Sequence, residues 1–192
     1  MHIAILTFEG FNELDSIVAL AILKRVRDSR WRVSLACPTP TVTSMNGVVV
    51  QSQATLAEAS GADVVKDPAL LGALKLDPAR QLIGAQCSGT LILAKLGILA
   101  GVPACTDLTT KPWVQEAGVE VLNQPFFAKG NVATAGGCLS SQYLAAWVIA
   151  RTAGPEAARA AIHYVAPVGE KDEYVERAMG NIAAYLPAPV PA

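Results

Sequence analysis

The sequence carries little charge and no excess of basic residues. Of its 192 residues, 15 are lysine or arginine and 16 are aspartate or glutamate, which gives a formal net charge of -1 at pH 7. Because nucleic-acid binding usually needs a basic face, this balance argues against a nucleic-acid partner. Apolar runs of membrane-spanning length are also missing, since Lys95 interrupts one candidate run and Gln142 interrupts another.

A secretory signal is missing as well. The N-terminal run HIAILTF is too short for the apolar region of a signal peptide, and it lacks a basic flank and a cleavage site. Hydrophobic residues nevertheless make up 52% of the chain, which is enough for a substantial core in one domain of this length. We therefore expect a compact cytoplasmic protein that contacts neither nucleic acid nor a membrane.

Metal-binding and paired-cysteine motifs are also scarce. The two histidines, His2 and His163, have no neighbouring acid cluster, which argues against a metal site and leaves few imidazole bases. No C-x-x-C spacing occurs, so neither a zinc ribbon nor a redox pair is indicated, and reduced thiols are expected. We predict neither a metal nor a cofactor. The four cysteines are Cys37, Cys87, Cys105 and Cys138.

The strongest functional signal lies in residues 81–101, QLIGAQCSGTLILAKLGILAG. The apolar run before Cys87 predicts a buried strand, and the leucine, isoleucine and alanine spacing from Ser88 onward predicts a helix. The chain must therefore turn sharply at Cys87. The pattern Ala85-x-Cys87-x-Gly89 is similar to the G-x-S-x-G nucleophile elbow, with cysteine as the nucleophile.

A cysteine in such a turn is expected to be reactive. The unpaired amides and the dipole of the following helix favour an anion, so we expect the pKa of the Cys87 thiol to fall from about 8.5 to roughly 5 to 7. The structural alternative is that Cys87 is a small buried hydrophobic residue in a strand-to-helix turn.

Asp15 is the first candidate partner of this cysteine. Asn12 is a plausible N-cap for the first helix, which places Asp15 in the first turn, where the helix dipole favours a carboxylate. The same turn would lie at the carboxyl edge of a parallel sheet, where ligands bind in open α/β folds. Asp15 therefore has a structural explanation and a possible role in the site.

The rest of the chain predicts strands that alternate with helices. This order indicates an α/β fold with a mostly parallel sheet covered by helices on both faces. We expect one domain over residues 1–186 and a proline-rich tail at 187–192. A hairpin is predicted at residues 42–53, with Asn46 and Gly47 in its turn. The expected strands are 2–8, 31–37, 63–65, 82–86, 102–106, 119–122 and 132–135, and the expected helices are 12–27, 67–76, 88–101, 112–117, 138–152, 155–164 and 170–186.

Three segments resemble the ThiJ/PfpI superfamily. They are HIAILTFEGFNELD at the start, IGAQCSGTLILAKLGILAG at the elbow and GNVATAGGCLSSQYLAAWVIA after the late strand. The resemblance spans nearly the whole chain. It implies the class I glutamine amidotransferase-like fold, a single-domain flavodoxin-like sandwich, and a homodimer. The superfamily includes deglycases, intracellular peptidases and isocyanide hydratases.

Within this superfamily the chain is most similar to the isocyanide hydratase branch. That branch has an aspartate at the position of Asp15 and a Cys-Thr-Gly elbow where this chain has Cys87, Ser88 and Gly89. Family peptidases carry a histidine directly after the cysteine, so Ser88 disfavours proteolysis. Glutamine amidotransferases use a late His-x-Glu segment, whereas tyrosine and valine follow His163. That reaction is disfavoured too.

The resemblance implies a cysteine-dependent enzyme that acts on a small electrophile. Cys87 would attack the electrophilic carbon, and Asp15 would act as general acid and base, its pKa raised by the neighbouring thiolate. An isocyanide would pass through a thioimidate to an N-formyl amine. Residues that could line the pocket are Ser88, Gly89, Gly137 and Cys138. Asp107 also lies near the predicted edge, although a solvated loop carboxylate is the simpler explanation.

Two other functions stay open. An α-oxoaldehyde could react through a hemithioacetal, as in a glyoxalase or deglycase. A non-enzymatic protein could instead bind a ligand or sense oxidative stress through oxidation of Cys87 to a sulfinic acid.

The sequence departs from its relatives at two places. Val18 and Ala19 stand where relatives usually have Gly-Pro, so one wall of the pocket could differ. Between Val65 and Lys66, relatives continue the strand into a glycine-rich loop that brings backbone amides to the cysteine, a difference of roughly ten residues. Either the protein has lost this loop, which would weaken catalysis, or the sequence omits a segment. We expect the omission, because an α/β core rarely tolerates half a central strand. An intact-protein mass equal to that of the sequence would contradict this expectation.

Overall fold

A six-stranded sheet organises the computed structural model, which describes residues 1–61, 64–66 and 75–187. Its strands, in chain order, are β1 (His2–Leu6), β2 (Arg32–Ala36), β5 (Val64–Lys66), β6 (Leu82–Gln86), β7 (Phe126–Lys129) and β8 (Val132–Ala135); β3 (Thr41–Thr43) and β4 (Val49–Gln51) form a separate hairpin. The order across the sheet is β2-β1-β5-β6-β8-β7, and only β7 runs antiparallel to its neighbour. The predicted α/β fold with a mostly parallel sheet is confirmed.

Helices cover both faces of this sheet. They are α1 (Glu13–Leu23), α2 (Leu56–Ser60), α3 (Gly89–Lys95), α4 (Lys111–Glu116), α5 (Ser141–Ala153), α6 (Pro155–Val165) and α7 (Lys171–Ala183), with a short 3-10 helix at Cys138–Ser140. Among the described residues, none of these helices is long and apolar enough to cross a lipid bilayer.

The two faces can be followed along β1, because successive side chains of a strand point to opposite sides. Ile3 and Ile5 pack into the large core formed with α1, α5, α6 and α7. Ala4 and Leu6 pack on the other side, against α2. All four are at most 1% exposed. This burial on both faces explains why the strand reads as a continuous apolar run.

The structure corrects several predicted elements. Residues 102–106 and 119–122 are not strands, and they meet only through a single bridge between Ala104 and Val121. The strand β7 was not predicted from the sequence. Gly130, with φ 61°, and Asn131 join β7 to β8 as a two-residue hairpin. The predicted hairpin around Asn46 is confirmed.

Some helices lie where they were predicted but end at a different residue. The helix α1 ends at Leu23 instead of residue 27, and α3 ends at Lys95, before Gly97 and its positive φ of 75°. The predicted helix at 67–76 lies almost wholly outside the described residues, as does the tail after Pro187. The segment expected to be missing beside Lys66 stays a prediction.

Candidate active site

Cys87 lies at the sharp turn between β6 and α3. Its φ is 48°, and among the described residues it is the one non-glycine residue with a positive φ. A backbone in this region is strained by roughly 1–3 kcal/mol and persists only where its surroundings hold it. The Cys87 amide donates to the Ala135 carbonyl at 2.9 Å, and the Thr106 hydroxyl donates to the Cys87 carbonyl at 2.8 Å. The cysteine elbow predicted from the sequence is therefore present.

Asp15 reaches the same edge of the sheet from the first turn of α1. The predicted N-cap is in place, because the Asn12 side chain accepts a 2.9 Å hydrogen bond from the Leu14 amide. The Ser141 hydroxyl donates to the Leu14 carbonyl at 3.0 Å, which ties this turn to the start of α5. These contacts fix the position from which the Asp15 side chain extends.

Asp15, Cys87 and Cys138 form one cluster. A carboxylate oxygen and the two sulfur atoms all lie within 4.8 Å of one another, and the sulfur atoms of Cys87 and Cys138 are 4.0 Å apart. The three side chains come from α1, the elbow and the 3-10 helix, so no local spacing in the sequence reveals the cluster. Their ligand atoms could also surround a metal ion, a possibility that the sequence did not indicate.

The electrostatics of this cluster differ from the prediction. Cys87 is only 4% exposed, and burial is the main reason why the pKa of its thiol is raised, followed by the negative charge of Asp15 and by Cys138. The expected fall in pKa is therefore wrong. Burial and a like charge both disfavour the thiolate, and together they exceed the opposing effect of the Gln86 contact. The thiol keeps its proton at neutral pH, so attack on a substrate requires a base.

Gln86 is a site residue that the sequence analysis missed. Its side chain is 1% exposed, and its amide nitrogen lies 2.7 Å from the Gly137 carbonyl oxygen and 3.5 Å from the Cys87 sulfur. This contact lowers the pKa of Cys87, against the larger effects of burial and Asp15. Within the described part of the chain, the side-chain amide oxygen of Gln86 (Oε1) has no hydrogen-bond partner. A lone amide in the apolar strand LIGAQ was the available signal.

The predicted pocket residues occupy different positions around the cluster. Ser88 is exposed at the start of α3, and its hydroxyl makes no capping hydrogen bond to a described residue. Gly89 is buried in the first turn of that helix. Gly137 is exposed with φ 84°, directly before the partly buried Cys138. Cys138 therefore lies beside Cys87, and roles for all four residues in a pocket stay predictions.

The other candidate side chains lie away from the cluster or have structural partners. His2 is at the amino end of β1, where its ring contacts Ser34 at 2.6 Å. His163 is exposed on α6. Asp107 is not simply a solvated carboxylate, because one oxygen accepts from the amides of Thr109 and Thr110 at 3.0 and 2.9 Å.

A cavity of about 900 Å³ lies at the other end of the molecule, around Met1, Lys24 and Trp31. These residues stand near the amino ends of β1 and β2, whereas Cys87 follows the carboxyl end of β6. None of the predicted site residues lines this cavity. Its size alone therefore does not connect it with the chemistry of Cys87.

Comparison with known proteins places this geometry in a recognised fold. No family model and no curated protein matches the chain. Similar solved structures include Schizosaccharomyces pombe DJ-1 (TM-score 0.72, 16% identity, covering 87% of this chain and 100% of that one). A mutant of a DJ-1 superfamily protein from Salmonella typhimurium has a TM-score of 0.72 and 23% identity, covering 85% and 97%. Drosophila melanogaster DJ-1beta has a TM-score of 0.68 and 19% identity, covering 85% and 96%.

The structural neighbours are proteins of the DJ-1/ThiJ/PfpI superfamily, and the chain has their flavodoxin-like α/β fold. This confirms the fold that the three sequence segments predicted. At these identities the likeness concerns the fold alone. Arguments about chemistry therefore rest on the residues around Cys87.

Proposed function

We propose that the protein is a cysteine-dependent enzyme of the ThiJ/PfpI superfamily that hydrates an isocyanide, with Cys87 as nucleophile and Asp15 as general acid and base. One observation carries the proposal. A strained, buried cysteine lies at the carboxyl edge of the sheet with a carboxylate oxygen within 4.8 Å of its sulfur. A nucleophile beside a base is the arrangement that covalent catalysis requires.

In the first step, Asp15 takes the proton of the Cys87 thiol while the sulfur attacks the terminal carbon of the isocyanide. The carbon–sulfur bond forms, and Asp15 returns the proton to the same carbon. The product is a thioimidate, R–N=CH–S–Cys87. A base is needed because burial and the charge of Asp15 raise the pKa of the thiol. Asp15 therefore accepts the thiol proton during the reaction, and its charge also raises the pKa of that thiol when no substrate is bound.

In the second step, Asp15 takes a proton from water while the hydroxyl oxygen attacks the thioimidate carbon, and it passes this proton to the nitrogen. The adduct is R–NH–CH(OH)–S–Cys87. The carbon–sulfur bond then breaks, Asp15 moves the hydroxyl proton to the departing sulfur, and R–NH–CHO leaves. No net proton or electron is consumed. Asp15 acts three times as a base and three times as an acid, which a group beside the nucleophile can do without changing place.

The surroundings of the cluster favour a small uncharged substrate. Cys87 is 4% exposed, so a bulky group has little access to its sulfur. The Asp15 carboxylate disfavours an anionic substrate by like-charge repulsion. An isocyanide is narrow at its terminal carbon, has no net charge, and meets both conditions. We further propose a homodimer, on the basis of the family resemblance.

The same residues would support two alternatives. An α-oxoaldehyde could form a hemithioacetal with Cys87, with Asp15 moving the protons, as in a glyoxalase or deglycase. Without turnover, oxidation of Cys87 would make the protein a stress sensor. Turnover distinguishes the two, because an enzyme regenerates the thiol after each reaction. A sensor thiol reacts once and must then be reduced before it can react again.

Multiple-turnover kinetics test the proposal. The full chain would be assayed with a small isocyanide such as methyl isocyanide and, separately, with methylglyoxal, alongside Cys87→Ala and Asp15→Asn. We expect steady formation of the N-formyl amine, lost in both variants. The matched control is Cys37→Ala, which also removes a buried thiol but leaves the cluster intact.

Other outcomes would redirect the assignment. Turnover of methylglyoxal alone would support the glyoxalase alternative. Isocyanide turnover that survives in Cys87→Ala would contradict the mechanism. No turnover of either substrate, together with stoichiometric oxidation of Cys87, would support the sensor.

A further inference from the structure

A second thiol stands beside the nucleophile, and the proposed hydration does not use it. The sulfur of Cys138 lies 4.0 Å from that of Cys87, a distance at which a weak hydrogen bond between the two thiols can form. Both sulfur atoms lie within 4.8 Å of an Asp15 carboxylate oxygen. A thiol at this distance can react with a singly oxidised Cys87 before a second oxidant molecule oxidises Cys87 further.

The backbone is held at both cysteines. Cys87 has hydrogen bonds at its amide and carbonyl and is followed directly by α3. Cys138 begins a 3-10 helix of only three residues, and the Gly137 carbonyl before it accepts from the Gln86 side chain at 2.7 Å and from the Ser140 amide at 2.8 Å. The sulfur atoms must approach by about 2 Å to reach the disulfide bond length of about 2.05 Å. Rotation of the two side chains, with a small backbone shift at the less buried Cys138, can supply this approach.

We propose that Cys138 is the resolving cysteine of Cys87, and that the two form a reversible disulfide when the protein meets a hydroperoxide. The inference rests on the reactive Cys87 of the proposed function. It assigns Cys138 a chemical role beyond that of a pocket residue. The disulfide would also divert Cys87 from the sulfinic acid, which is not reduced by ordinary thiols.

The reaction balances with the hydroperoxide as the oxidant. The Cys87 sulfur attacks the terminal peroxide oxygen, the O–O bond breaks, and Cys87-SOH and an alcohol, or water from hydrogen peroxide, are formed. The Cys138 sulfur then attacks the Cys87 sulfur. The S–S bond forms, the S–O bond breaks, and the departing hydroxide leaves as water with the Cys138 proton. Asp15 is placed to pass that proton, which matters because burial, followed by the charge of Asp15, raises the pKa of Cys138.

The chain allows an unambiguous test, because its four cysteines fall in four different tryptic peptides. Cleavage after Arg80 and Lys95 isolates Cys87, and cleavage after Lys129 and Arg151 isolates Cys138. The full-length protein would be treated with hydrogen peroxide in a buffer that contains a metal chelator. Free thiols would then be alkylated, and the digest analysed by mass spectrometry. We expect peptides 81–95 and 130–151 to be joined with the loss of two hydrogen atoms, and to separate on treatment with dithiothreitol.

Two variants sharpen the result. In Cys138→Ala we expect no linked peptide and faster accumulation of Cys87 with two added oxygen atoms. In Cys37→Ala, which also removes one thiol, we expect the same linked pair as in the wild type. The proposal is overturned if Cys87 reaches the sulfinic acid equally fast with and without Cys138, or if peroxide oxidises neither residue.

The experiment can contradict the disulfide and the proposed isocyanide hydration independently of each other. The same samples would be assayed for isocyanide turnover before oxidation, after oxidation and after reduction. Turnover without a linked pair would overturn the disulfide and leave the enzyme assignment intact. A linked pair without turnover of isocyanide would support the disulfide and contradict the assignment. If both hold, turnover should fall in proportion to the linked fraction and return with dithiothreitol.

Discussion

The Gln86 side-chain amide donates a 2.7 Å hydrogen bond to the Gly137 carbonyl oxygen, although the two residues are 51 positions apart in the chain. It thereby connects the end of β6 to the segment that carries Cys138. The same nitrogen lies 3.5 Å from the Cys87 sulfur. One buried side chain therefore links both cysteines of the cluster.

Replacement of this amide tests its positioning role. Gln86→Met keeps a long unbranched side chain but removes the donor, so the Gly137 carbonyl loses one hydrogen bond and keeps the one from the Ser140 amide at 2.8 Å. We expect the free energy of unfolding to fall by about 1 kcal/mol, the net value of a typical hydrogen bond. The pKa of Cys87 should rise further, because the Gln86 contact lowers it. The pH dependence of alkylation by iodoacetamide measures this pKa, and an unchanged profile would contradict the role.

Asp15→Asn should separate thiol reactivity from turnover. The negative charge of Asp15 raises the pKa of Cys87, so neutralising it should lower that pKa and shift alkylation to lower pH. Turnover should nevertheless be lost, by roughly 100-fold or more, because the general base is gone. The two measurements are the pH profile of iodoacetamide reaction and the steady-state rate with isocyanide.

A control for this variant is available in the same helical turn. Glu13→Gln also removes a negative charge from the start of α1, but the Glu13 carboxylate bonds to Ser44 and Asn46 of the hairpin. We expect this variant to keep the wild-type alkylation profile and turnover. Loss of turnover in both variants would show that turnover depends on the negative charge at the start of α1 in general, and not on the Asp15 carboxylate in particular.

Gly136 should not tolerate a side chain. A Cβ at this position would lie 2.4 Å from the backbone carbonyl oxygen of Thr106, whose hydroxyl holds the elbow. We expect Gly136→Ala to lower the free energy of unfolding by about 1–3 kcal/mol, as overpacking usually does. The measurement is the urea midpoint of unfolding.

The matched substitution is Gly180→Ala in α7, where no atom lies within 4 Å of the added carbon. Alanine is favoured over glycine inside a helix by about 1 kcal/mol, so this variant should be more stable than the wild type. Equal effects of the two substitutions would contradict the clash at Thr106.

Local features of this fold could be predicted from the sequence because their causes are local. Asn12 caps α1 through its own side chain, and small residues around Cys87 permit the strained turn. The apolar runs of β1 and β6 reflect burial on both faces of a parallel sheet. The same information identified Cys87 and Asp15 as the candidate pair.

Other features depended on contacts between distant parts of the chain. The strand β7 forms because β8 supplies its hydrogen-bond partners, whereas residues 102–106 and 119–122 gain only one bridge. An apolar stretch does not by itself reveal whether a partner strand will lie beside it. Sequence pattern therefore overpredicted strands in one segment and missed one in another.

The ionisation of Cys87 was decided by the tertiary structure in the same way. The sequence determined that a cysteine would stand in a strand-to-helix turn, with a carboxylate at the same edge of the sheet. Only folding determined that burial and the Asp15 charge raise the pKa of this thiol. Only folding brought Cys138 to within 4.0 Å of Cys87, because desolvation and through-space distance do not exist until the elements pack.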